Sequence, residues 1–145
     1  ALEQVCIHLA RAIARDGEGA TRLIEVTVSG APDTTAARQV ARTIVSSPLV
    51  KAAVHGGDPN WGRIVAAAGR SGVAVEETRL DLYLGDICLL QGGQPRPFPP
   101  PDAAAVLGRD EVPIKLLLNL GTASATAWGC DLSEEYVTIN SQYTT

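Results

Sequence analysis

The stretch Arg15-Asp16-Gly17-Glu18-Gly19-Ala20-Thr21-Arg22, running on into Leu23-Ile24-Glu25-Val26-Thr27-Val28-Ser29, decides the reading of the chain, because one hydrophobic period ends in it and another begins. Upstream, Leu2, Val5, Cys6, Leu9 and Ile13 recur at helical spacing. Arg11 and Arg15 lie toward the C-terminal end, where cations suit the helix dipole. Downstream, Ile24, Val26 and Val28 alternate with Glu25 and Thr27, the pattern of a strand with one buried face. Gly17 stops the helix, and Glu18 is presented between two glycines, which accept backbone conformations closed to other residues and allow close approach. By themselves these residues read as a helix C-cap followed by a solvated glutamate.

The alternation of elements continues outward from this junction. Gly30-Ala31-Pro32 reads as a turn, and Asp33 as the N-cap of a helix whose apolar positions are Ala36, Ala37, Val40, Ala41, Ile44 and Val45. Leu49 to Val54 fits strand or helix. In His55-Gly56-Gly57-Asp58-Pro59-Asn60-Trp61-Gly62-Arg63, Asp58 reads as an N-cap and Pro59 as the first residue of a helix that runs to Gly69. Val73-Ala74-Val75 is a short strand candidate. Leu80 to Leu84 alternates, and Gly85-Asp86 turns the chain into Ile87-Cys88-Leu89-Leu90 as a hairpin partner. Gln91 to Pro101 is a Gly- and Pro-rich surface loop, and Asp102 to Leu107 a short helix. Val112 to Leu120 and Thr122 to Cys130 read as strands with Gly121 at the turn, and Ser133 to Tyr143 as a short helix capped by Ser133. Helices alternating with strands and hairpins place the chain in the α/β (mixed α+β) class, a layered sandwich of mixed sheets and helices forming one domain over residues 1–145.

Composition narrows the function classes. A chain of 145 residues that is 46% apolar can bury a core, which excludes a disordered chain. The net charge of −4 is mixed in sign along the chain, so neither a basic face for nucleic acid nor an acidic arm is expected. No apolar run reaches the length of a membrane span, and no signal-peptide pattern is present. Cys6, Cys88 and Cys130 are odd in number and widely spaced, which fits reduced thiols in a cytoplasmic setting. The absence of Met and the start inside an amphipathic pattern are features expected of a piece of a longer polypeptide.

The residues themselves offer little nucleophilic chemistry. The GxSxG elbow is absent. His8 falls among apolar neighbours and reads as a core or boundary residue. His55 opens a Gly-rich turn and reads as a structural hydrogen-bonding residue. With no second His near it, neither a metal site nor a cofactor is expected. Gly56-Gly57 stands before a helix N-terminus, where backbone N–H groups cradle anions. It lacks a GKS or GKT ending, and Asp58 repels phosphate. Trp61 reads as packing beneath its helix and Arg63 as a structural partner for a carboxylate.

Four separated stretches, in order, resemble one family: Asp16-Gly17-Glu18-Gly19-Ala20-Thr21, Gly57-Asp58-Pro59-Asn60-Trp61-Gly62-Arg63, Ala127-Trp128-Gly129-Cys130-Asp131-Leu132 and Tyr136-Val137-Thr138-Ile139-Asn140. The chain is similar in these motifs, and over essentially its whole length, to the ornithine acetyltransferases, also called glutamate N-acetyltransferases, of arginine biosynthesis.

The resemblance implies a self-processing fold like that of N-terminal-nucleophile enzymes, in which a precursor is cut before a threonine into α and β chains. The new terminal threonine carries acetyl from N-acetylornithine to glutamate. The Ala-Thr-Met-Leu cleavage site is missing here, so the sequence corresponds to the C-terminal part of the β chain and holds no nucleophile; Ala1 cannot serve. The implied partners are the α chain and the remainder of the β chain in an α2β2 assembly, with N-acetylornithine, ornithine and glutamate as ligands and acetyl-CoA as a candidate second donor. By the resemblance, Glu18, Asn140 and Thr145 are substrate contacts, while His55 and Arg63 carry no catalytic role. An ammonium group wants a carboxylate such as Glu18, and Asn140 and Thr145 offer groups for the substrate's polar atoms. Two other readings stand beside this one. One is an N-terminal-nucleophile aminopeptidase or amidohydrolase, which passes the acyl group to water, and the other is a non-catalytic scaffold module.

Overall fold

The structure, a computed structural model, describes residues 1–143. Its centre is a six-stranded mixed sheet of β1 (Leu23–Ala31), β2 (Asp81–Leu84), β3 (Ile87–Gln91), β4 (Gln94–Pro95), β5 (Glu111–Leu117) and β6 (Ala123–Cys130), in the order β4-β3-β2-β5-β1-β6. The two strands that follow one another near the C-terminus do not pair. β1 lies between them, parallel to β5 with Leu23 opposite Glu111, and antiparallel to β6 with Leu23 opposite Cys130.

Period-2 alternation on β1 sorts the two faces. Ile24, Val26 and Val28 are fully buried. They share one core with Ala37, Val40, Ala41, Ile44 and Val45 of α2 (Thr34–Val45). α3 (Pro48–His55), α4 (Trp61–Gly69) and α5 (Pro100–Leu107) contribute to the same core through Val50, Ile64 and Val106. Helix and sheet meet so closely at β6 that a Cβ on Gly129 would lie 2.8 Å from Val45 Cγ2. The opposite face carries Glu25, Thr27, Thr126 and Trp128, all half-buried. There Arg11 of α1 (Leu2–Arg15) donates to Glu25 and Glu111 at 2.7 Å each, and Trp128 Nε1 donates to Glu25 at 2.7 Å.

Side-chain caps account for several helix starts. Asp33 caps α2 by accepting from Ala36 N at 2.7 Å, as its sequence position implies. Ser133 likewise caps α6 (Glu134–Gln142), accepting from Tyr136 N.

Several expectations are corrected. Gly30-Ala31 does not turn the chain: β1 continues through Ala31 across a register shift, with Gly30 at φ 68° supplying the irregularity. The cap of α4 is Asn60, which accepts from Arg63 N at 3.2 Å, while Asp58 accepts from the Asn60 amide. Val73 to Val75 is irregular and joins no sheet, though Val73 and Val75 pack on the core. α5 starts at Pro100 instead of Asp102, with proline in its first turn.

The largest departure concerns α1. Its helical period is as read, yet no residue on it is buried, and Leu2, Val5, Leu9 and Ile13 are exposed. His8, expected at a core boundary, is exposed as well. An amphipathic stripe specifies that a helix has an apolar face; it does not specify that the partner lies within the same stretch of chain.

Candidate functional site

The turn between α1 and β1 folds against the segment that links β6 to α6, and that contact assembles the site. Gly17 and Gly19 permit it. A Cβ on Gly17 would lie 2.6 Å from Cys130 Sγ, and one on Gly19, whose φ is 67°, would lie 2.7 Å from Tyr136 N. Ser133 Oγ donates to Gly19 O at 2.6 Å while capping α6, so one hydroxyl ties the turn to the helix.

Glu18 and Asn140, 122 residues apart, are thereby brought together. The Asn140 amide donates to Glu18 Oε2 at 2.9 Å and to Tyr136 O, one helical turn back, at 2.9 Å. Both side chains are exposed. The bond from Asn140 occupies one lone pair of Glu18, and among the described residues no other side chain bonds the carboxylate, whose remaining lone pairs suit a cationic donor. Thr145, the third expected contact, lies outside the described residues.

The residues that follow the Glu18 turn are held by a buried carboxylate that no local sequence pattern singles out. Asp131, 2% exposed, accepts from Thr21 N and Arg22 N at 2.8 Å each, from Thr21 Oγ1, and bonds His55 Nδ1 at 2.7 Å. Arg22 adds a guanidinium 3.8 Å away and donates to His55 O at 3.1 Å. The second nitrogen of His55 reaches Glu134 in the first turn of α6 at 3.0 Å. His55 therefore has the hydrogen-bonding role expected of it, with two carboxylates as partners. Asp131 was readable only as part of the Ala127-to-Leu132 motif. The physical signal was an acidic residue two positions before a serine cap, where a strand gives way to a helix.

The electrostatics follow from these partners. Burial pushes the Asp131 carboxyl up, but the hydrogen bonds from the Thr21 hydroxyl, His55 and the N–H groups of Arg22 and Thr21 outweigh it and hold the group below its ordinary value. His55 is raised, first by its bond to Asp131 and, against the opposing effect of burial, also by Glu134. Glu134 is lowered by its own backbone N–H at the helix start and by His55.

Arg63 donates to Leu49 O at 3.1 Å and so takes a backbone carbonyl where a carboxylate was expected. Trp61 is half-buried and packs against the core, as expected. Among the described residues no group of three or more His, Cys, Asp or Glu side chains is arranged to hold a metal ion, and no helix is long and apolar enough to cross a membrane.

The model of the ArgJ family matches residues 1–145. The chain belongs to the ArgJ family. It is 58% identical over 144 residues to the arginine biosynthesis bifunctional protein ArgJ of Parasynechococcus marenigrum, covering 99% of this chain and 35% of that protein. To the ArgJ of Dehalococcoides mccartyi it is 56% identical over 145 residues, covering 100% of this chain and 36% of that one. The crystal structure of ArgJ from Bacillus halodurans matches with a TM-score of 0.95 at 47% identity, over 98% of this chain and 67% of that one. The ArgJ-family chain thus spans about 35% of the length of the first of these curated relatives. The mixed α/β architecture expected from the sequence is the one that the ArgJ crystal structure shares.

Proposed function

We propose that this chain is the amino-acid-recognising part of an ornithine acetyltransferase, in which other polypeptide supplies the nucleophilic threonine. The observation that carries the proposal is the 2.9 Å bond between Asn140 and Glu18, which joins two residues singled out independently of their proximity. In the proposed reaction the threonine hydroxyl attacks the acetyl carbonyl of N-acetylornithine, the C–N bond breaks, and ornithine departs with the proton. The glutamate amine then attacks the acetyl-threonine ester, forming N-acetylglutamate and restoring the hydroxyl. Glu18 pairs with the ammonium group of the substrate, and Asn140 orients Glu18 through its amide N–H while its Oδ1 accepts from a substrate N–H. Thr145 completes the contact set.

The remaining polypeptide, α chain and rest of β chain in an α2β2 assembly, has a surface to meet in the exposed stripe Leu2, Val5, Leu9 and Ile13. Free cysteines at positions 6, 88 and 130 support a reducing, cytoplasmic setting.

The test is the complete enzyme supplied with N-acetylornithine and glutamate. Mass spectrometry is expected to detect acetyl on a threonine, and Glu18→Gln is expected to raise KM for N-acetylornithine about 30-fold with kcat changed far less. Unchanged KM in Glu18→Gln overturns the assignment. Acetate released at full rate without glutamate would instead identify a hydrolase.

A further inference from the structure

We infer that His55 and Asp131 are positioning residues for the amino-acid site: His55, bridging Asp131 and Glu134 through its two ring nitrogens, fixes the separation between the Glu18 turn and the Asn140 helix. The inference rests on the reading of Glu18 and Asn140 as substrate contacts.

The geometry runs through three elements. Asp131 grips the residues leading into β1 through Thr21 N, Thr21 Oγ1 and Arg22 N, three and four residues after Glu18. His55, the last residue of α3, takes the other side of Asp131 at 2.7 Å and reaches Glu134 at 3.0 Å. Glu134 stands six residues before Asn140 on the same helix, about 9 Å along its axis. α6 has no buried residue and α3 has three, so His55 ties a weakly packed helix to a well-packed one. Ser133 pins the start of α6 to the turn, so a tilt of the helix away from α3 is largest toward Asn140 and breaks its bond to Glu18.

The bridge depends on the protonation of His55. A neutral imidazole donates from one nitrogen only, whereas both nitrogens here face carboxylate oxygens. The charged groups around the ring are Asp131 after β6, Glu134 on α6 and Arg22 immediately before β1. When the ring loses its proton, Asp131 keeps Thr21, Arg22 N and the Arg22 guanidinium, so the bond that fails is the one to exposed Glu134. His55 is raised above its ordinary value of 6.5. The bridge is therefore complete below that value and is lost as pH rises through the raised one.

Steady-state kinetics of the complete enzyme between about pH 6 and about pH 9 test this. Wild-type KM for N-acetylornithine is expected to rise across that range, following the His55 titration seen in imidazole ¹⁵N shifts. His55→Ala is expected to raise KM about ten-fold at the acid end with kcat within about two-fold. His55→Asn places an amide where Nδ1 stands, keeps the bond to Asp131 and does not titrate. Its KM is expected to be intermediate and independent of pH. A His55→Asn enzyme that retains the wild-type pH dependence of KM overturns the inference, even if His55→Ala fails to fold. So does a His55→Ala enzyme with wild-type KM. If Glu18→Gln raises KM while the His55 variants do not, the positioning role alone falls; if Glu18→Gln leaves KM unchanged, the site assignment falls and the positioning role with it.

Discussion

The turn at Gly17-Glu18-Gly19 and the turn at Gly56-Gly57 both follow a helix, and each holds a glycine in the left-handed region, Gly19 at φ 67° and Gly57 at φ 68°. Their surroundings differ. Around the first, protein atoms fill the space that a Cβ would need: a Cβ on Gly17 would lie 2.6 Å from Cys130 Sγ, and one on Gly19 2.7 Å from Tyr136 N. A Cβ on Gly57 would meet no other described atom within 4 Å. The first pair of glycines permits contact between distant segments, and the second serves the backbone alone. Glycines beside a candidate ligand contact invite the reading that a ligand needs the room; here the room at Gly17 and Gly19 is taken by the protein's own β6–α6 segment.

The strongest way to break this contrast is to remove the group that holds the first turn in place. Asp131→Ala leaves Thr21 N and Arg22 N without their acceptor and strands His55 beside Glu134 alone. The expected loss is about 4 kcal/mol of stability at neutral pH, measured as a shift in the denaturant midpoint. The wild-type contribution of Asp131 has a defined pH window because its carboxyl is held below the ordinary value of 3.8. That contribution is fully present above 3.8 and is lost as pH falls through the lowered value. A variant that loses less than about 1 kcal/mol would show that the turn is fixed by glycine packing without the carboxylate.

Gly19→Ala comes next. It forces a left-handed L-residue and drives a methyl against Tyr136 N and Ser133 Oγ, at 2.7 and 2.8 Å, neither of which can swing away without uncapping α6. About 3 kcal/mol is expected from strain and overpacking together. Because the clash pushes α6 outward, the bond from Asn140 to Glu18 should lengthen too, and under the proposed function KM of the complete enzyme for N-acetylornithine should rise along with the stability loss. A stability loss with unchanged KM would separate the packing of this turn from substrate binding.

How much of this was legible from sequence follows from which interactions are local. Asp33 and Ser133 were readable as caps because a cap and the N–H it accepts from lie three residues apart. The alternation on β1 was readable because burial of one sheet face is written into successive residues. The insertion of β1 between β5 and β6 was not written anywhere locally, since Val28 meets Ala125 across 97 residues. The same limit applies to Asp131: its partners come from positions 21, 22 and 55, and no period or spacing joins them. Glu18 and Asn140 were identified through family motifs, and the structure adds the bond between them. The α1 stripe failed in the other direction, because a period read correctly still left open what the apolar face packs against.

The smallest effect is expected at the open turn, and it is the one that most sharpens the contrast. Gly57→Ala imposes the same left-handed strain as Gly19→Ala, at nearly the same φ, without a single atom to strike. Its cost should therefore be the backbone term alone, about 1 kcal/mol, and KM should stay at the wild-type value. The difference between the two alanine variants, about 2 kcal/mol, then measures what close packing against α6 adds at Gly19. Equal losses at the two positions would mean that the 2.7 Å approach at Gly19 relaxes freely. In that case the Glu18 turn would be held by Asp131 and Ser133 through hydrogen bonds, with its glycines serving conformation only.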